Sequence, residues 1–96
     1  MTNIYTVAQP KFSLGELYIT AAVDKTLAPE EIQTALVRHA RGDWGDVSDD
    51  DRDENESALW EARRLMSVYR DSKDVEFWII TEADRSVTTV LLPDDY

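Results

Sequence analysis

The chain has one histidine, His39, and no cysteine. Any acid–base or metal chemistry must therefore be built from that imidazole and from carboxylates. Asp43 follows His39 at i+4, a spacing at which two helical side chains can share a metal ion. Two ligands are too few for a site, and no second histidine or thiolate can complete the set. The competing reading is a histidine at a helix C-terminus, bonded to a carbonyl or carboxylate and favoured there by the helix dipole. A second grouping, Glu82, Asp84, Arg85 and Thr88, could do acid–base work if all four faced one pocket. An Asp–Arg turn pair beside a polar strand face explains the same residues without a site. There is no Gly-rich phosphate loop, nucleophile elbow or catalytic triad composition. The residues thus predict a non-catalytic protein with no cofactor and no bound metal.

The charge pattern points elsewhere. Net charge is −10, and it is unevenly spread. Residues 1–42 are neutral, whereas Asp43 to Glu56 carries eight acids against Arg52 alone, a net of −7. Residues 57–70 are net positive, and the chain turns acidic again after them. Such a surface repels phosphate backbones and suits a basic protein partner. Direct nucleic-acid binding is not expected.

The acidic run opens on Gly42-Asp43-Trp44-Gly45, an aromatic between two glycines. This spacing predicts a tight turn with Trp44 folded beneath it, a core residue before a recognition residue. Trp60 raises the opposite question. In a helix reaching Ala62 it would fall among Asp49, Asp53 and Glu56, the composition of a hot spot for a basic partner. Were the helix to end early, Trp60 would pack on the sheet or the N-terminal arm, and the tendency of large aromatics to find cover favours that outcome. Asp43, Trp44, Asp49, Asp50, Asp53, Glu54 and Trp60 form the candidate docking set. A solvated helix face is the plainer account of the acids. The sharper one is mimicry of a phosphate ladder: a helix sets i and i+4 carboxylates about 6 Å apart, against one charge per ~1.7 Å of DNA axis.

These residues need elements to position them. Ninety-six residues suit one domain, and 43% hydrophobic against 31% charged is a globular composition. No apolar run approaches the ~18 residues of a membrane span, and the start Met1-Thr2-Asn3-Ile4-Tyr5 lacks a signal-peptide pattern. The expectation is a soluble cytoplasmic protein. Residues 14–20 read as a short strand, after which Thr20 either caps a short helix over 21–27 or the strand continues to Val23. Pro29 with Glu30 and Glu31 starts a helix whose Ile32, Ala35, Leu36 and His39 draw one buried stripe, closed by Gly42. Ser48-Asp49-Asp50-Asp51 caps a second long helix with Asn55, Ala58, Leu59 and Ala62 inward. Then Leu65–Tyr69, Phe77–Thr81 and Val87–Leu92 read as strands, joined by turns at 71–74 and 83–86 and ended by Pro93. The fold class is α+β: an N-terminal strand and two to three helices on a three-stranded antiparallel meander.

One stretch of residues is distinctive as a string. Arg38-His39-x-x-Gly42-Asp43-Trp44-Gly45, Asp51, Asn55, Ala58-Leu59, Tyr69, Trp78-Ile79-Ile80-Thr81-Glu82-Ala83-Asp84-Arg85-Ser86-x-Thr88-Thr89-x-Leu91-Leu92-Pro93 and Tyr96 resemble a family of small bacterial proteins of plasmids, prophages and integrative elements. The resemblance spans residues 14–96 and departs from the family pattern at 21–28. It implies no activity, only a setting in accessory DNA. By analogy with that setting, the chain is expected to inhibit a host restriction or CRISPR system. The rival expectation is a regulatory homo-oligomer of the element, paired through the meander's edges.

Overall fold

The computed structural model describes residues 9–96, which form a four-stranded mixed sheet with three α-helices. The strands are β1 (Glu16–Ile19), β2 (Leu65–Arg70), β3 (Glu76–Thr81) and β4 (Val87–Leu91), and the helices are α1 (Ala21–Thr26), α2 (Pro29–Ala40) and α3 (Asp49–Glu61). A 3₁₀ turn at Pro93–Asp95 follows β4. No helix among the described residues is long and apolar enough to cross a membrane.

The helices start where local chemistry directs. Thr20 Oγ1 accepts from the Val23 N–H at 3.2 Å and caps α1, so the chain turns helical and does not extend the strand to Val23. Pro29 occupies the first turn of α2. Ser48 Oγ accepts from the Asp51 N–H at 3.1 Å at the head of α3, where Asp49, Asp50 and Asp51 also meet the positive end of the helix dipole. That helix runs its full expected length and closes at Ala62, which takes a left-handed conformation with φ 51°.

β2, β3 and β4 form the antiparallel meander, in strand order β1-β4-β3-β2. The first strand is part of the same sheet: β1 pairs with β4 in parallel, with Leu17 opposite Thr88 and Ile19 opposite Val90. Parallel pairing needs a long crossover, and α1 through β3 provide it.

Both edges of the meander are therefore occupied. β1 takes the edge of β4. On β2, the Asn55 side chain donates to the Met66 carbonyl at 2.8 Å and accepts from the Met66 N–H at 3.2 Å. The loop after α2 continues the covering, with Val68 bonded to the Trp44 carbonyl and the Asp46 N–H. β1 is thus one edge strand of the sheet, and at the other edge the backbones of Met66 and Val68 are already bonded.

The main core lies between the sheet and α1 and α2, with Val23, Leu27, Ile32, Leu36, Tyr69, Phe77, Ile79 and Val90 in contact. The predicted α2 stripe of Ile32, Ala35, Leu36 and His39 is buried as a set. A smaller cluster of Trp44, Ala58 and Leu65 anchors α3, with Phe12, Val47 and Leu59 packed around it. Along α3 only Asn55 and Ala58 are buried. The helix is thus held by a narrow seam and shows most of its circumference to solvent.

Candidate functional site

His39 is fully buried and does not meet Asp43. Its Nδ1 lies 2.6 Å from Ser67 Oγ and its Nε2 lies 2.9 Å from Thr81 Oγ1. Thr81 Oγ1 is 2.7 Å from Thr88 Oγ1, and the Thr88 hydroxyl donates to the Leu14 carbonyl at 2.6 Å. One direction of donation satisfies this chain. Thr88 gives its proton to Leu14, Thr81 gives its own to Thr88, His39 Nε2–H donates to Thr81, and Ser67 donates to Nδ1. The imidazole is therefore the neutral Nε2–H tautomer. Burial, reinforced by the Arg85 guanidinium, holds it at about 3, far below the usual 6.5. Phe12 and Trp44 close its remaining sides, with ring centroids at 5.2 and 5.8 Å. The partners are two hydroxyls, not the carbonyl or carboxylate that the helix end suggested. Every polar atom of the ring is engaged inside the core.

The hairpin group is also dispersed. Asp84 serves its own turn, accepting from the Ser86 N–H and hydroxyl, which lower its carboxyl below the usual carboxylate range. Arg85 folds inward and donates to the Ala58 carbonyl at 2.9 Å and the Arg63 carbonyl at 2.7 Å, tying the end of α3 to the hairpin. Thr88 belongs to the His39 chain, and Glu82 faces Arg64 at 3.8 Å. Their described hydrogen bonds and ion pairs thus run to separate partners. Among the described residues no group of three or more His, Asp or Glu is placed to hold a metal ion.

The docking set divides sharply. Trp44 does not belong on a contact surface: it is 1% exposed, stacked on Phe12 at 6.2 Å, and its indole N–H donates to Glu56 at 2.7 Å. Gly45, at φ +75°, lies against β2 so closely that a Cβ would strike the Val68 carbonyl, and this close approach is what tucks Trp44 beneath the loop. Asp43 is half-exposed and chelates Arg38 at 2.7 and 3.2 Å. That hydrogen bond lowers the Asp43 carboxyl and raises the guanidinium. Its backbone carbonyl accepts from the Tyr69 hydroxyl at 2.6 Å, so Asp43 is partly a loop fastener. Glu54 is exposed but paired with Arg63, which also holds Glu61 at 2.9 Å.

What remains outward is Asp49, Asp50, Asp53 and Trp60. The three aspartates are exposed and, like Asp51, have no ion-pair partner among the described residues. Trp60 is 89% exposed, against the expectation that it would find cover. The reason is positional. α3 reaches Glu61, and spacings of four, three and four put Asp49, Asp53, Glu56 and Trp60 on one stripe facing away from Ala58. Leu59 instead takes the inward place beside Trp44. Glu56 is fixed on this stripe by the buried indole of Trp44, so the interior orients one carboxylate of the exposed surface.

Sequence reasoning missed the role of Arg85, because nothing in a turn arginine signals that it will cap a helix from another part of the chain. The His39 chain had a faint signal: Ser67 lies two residues from both Leu65 and Tyr69 on β2, the spacing that puts all three on one face. Comparison with known proteins adds no family, since no family model, curated protein or solved structure matches the chain.

Proposed function

We propose that this is a non-catalytic protein-binding module of a mobile genetic element. In this reading it inhibits a host nucleic-acid-directed defence system, of the restriction or CRISPR kind, by presenting the exposed stripe of α3 to a basic protein surface. The observation that carries the reading is Trp60, 89% exposed on a helix that also presents Asp49, Asp50 and Asp53 without ion-pair partners among the described residues. A large aromatic left in water costs apolar burial that a partner would recover. Carboxylates around it suit a partner that brings lysine or arginine to the indole face. The defence setting comes from the mobile-element resemblance of the residue string and from the net charge of −10. An acidic surface of this kind suits a protein that ordinarily grips phosphates.

The test combines Asp49→Asn, Asp50→Asn and Asp53→Asn with Trp60→Ala in one variant. Among the described residues these side chains make no ion pair, so the circular dichroism spectrum should match the parent, and the melting temperature should fall only by the small helix-dipole contribution of Asp49 and Asp50. Protection of incoming plasmid DNA in a restricting host, and capture of the host effector at low salt, should both be lost. Undiminished protection by the folded variant overturns the proposal.

A further inference from the structure

The core face of the sheet takes α1 and α2, yet the opposite face is not polar. Tyr18, Thr89, Ile80 and Met66 form one row across all four strands, and Leu91, Trp78 and Val68 form the next. An antiparallel sheet with one solvated face ordinarily shows polar residues there. The C-terminus covers part of it: Tyr96 meets Trp78 edge-on at 5.7 Å, and Arg64 lies over the Tyr96 ring while donating to its hydroxyl at 2.7 Å. The β2 end stays open. There Val47, Met66 and Val68, all half-buried, line a groove of about 180 Å³. Asp51, Glu54 and Asn55 of α3 form one wall, and Arg64 stands at its border.

We propose that this groove receives a segment of a partner protein that inserts one bulky apolar side chain flanked by arginine or lysine. The apolar floor and the groove's volume suit a leucine- or phenylalanine-sized group. Charge selects the flanks: of the wall's two carboxylates Glu54 is shared with Arg63, while Asp51 has no ion-pair partner among the described residues and is free to meet an incoming cation. Charge also disfavours a second copy of the chain, which would bring another −10 and an identical acidic wall to the same face. The segment binds through side chains, not as an added strand, because Asn55 and the loop at Trp44 and Asp46 already hold the backbone of Met66 and Val68. The groove is bordered by Asp51 and Glu54, on a different flank of α3 from the stripe of Asp49, Asp53, Glu56 and Trp60. It therefore stands independently of the function proposed above.

The probes are three blocked hexapeptides: Leu-Phe flanked by two arginines on each side, the same centre flanked by glutamates, and Ala-Ala flanked by arginines. They are titrated into the isotopically labelled full chain and followed by amide chemical shifts. The first should shift Val47, Met66 and Val68 and weaken as salt screens it, while the other two leave those signals in place. Met66→Lys should weaken binding about tenfold, and Trp60→Ala should leave it within twofold. Should Met66→Lys fail to fold, Val68→Thr, which keeps a β-branched strand residue, should weaken binding in the same direction. Equal binding of the Ala-Ala peptide, or shifts confined to the Trp60 stripe, overturns the inference. So does a dimer by sedimentation that Met66→Lys dissolves, since the occupant would then be a second copy.

Discussion

His39 should make the stability of this fold depend on pH in a range where its carboxylates contribute little. The imidazole is buried and engaged on both nitrogens, and its folded value of about 3 lies below the 6.5 of an exposed histidine. Between those values the unfolded chain binds the extra proton. The stabilisation from a neutral His39 is therefore complete above pH 6.5 and is lost as pH falls toward 3. The slope is about 1.4 kcal/mol per unit, which at pH 5 amounts to about 2 kcal/mol. A domain of this size is stable by roughly 5–15 kcal/mol, so the loss is large enough to measure. Urea unfolding followed by tryptophan fluorescence at pH 7.5, 6 and 5 reads it directly. His39→Gln is the control, because it keeps a hydrogen-bonding side chain and every carboxylate but cannot take up the proton. The wild-type curve should fall relative to the variant's by about 2 kcal/mol between pH 7.5 and 5. Parallel curves would show that the imidazole is not held neutral in the core, and the reasoning from burial would fail.

Trp44 and Trp60 should separate cleanly. Trp44→Ala empties a fully buried site and should cost about 3–5 kcal/mol in the same urea assay, whereas Trp60→Ala should change stability by less than about 0.5 kcal/mol. Asn55→Ala leaves the Met66 N–H and carbonyl without their side-chain partner and should cost about 2–3 kcal/mol. Amide exchange at Met66 should accelerate in the same variant, and unchanged exchange would show that the β2 edge is protected by something else.

Fixed carboxylates and mobile ones play different parts on α3. Glu56 is oriented by the Trp44 indole and Glu54 by Arg63, while Asp49, Asp50 and Asp53 are uncommitted. A partner meeting this helix finds one preset acceptor beside Trp60 and several that can adjust. Preset groups lower the ordering cost of binding, and adjustable ones widen the range of basic surfaces that fit.

Local pattern determined a good deal of this protein. Pro29 and the Ile32, Ala35, Leu36, His39 stripe defined α2, the Ser48 cap defined the start of α3, and β-branched runs between Asp-rich turns defined the meander. Each signal acts within one or two turns of chain, so it can be read without knowing what lies opposite. The charge boundary at Asp43 and Glu56 was legible for the same reason. Tertiary structure alone decided three things. It placed β1 beside β4 in parallel, a contact across more than half the chain that no local spacing encodes. It joined Ser67, His39, Thr81 and Thr88 into one hydrogen-bonded chain, because strand register and the α2 face meet only after folding. And it settled the fates of Trp44 and Trp60, two large aromatics that local sequence would equally send to cover. The loop at Gly45 turns one indole under α3, and the narrow seam of Asn55 and Ala58 leaves the other in solvent.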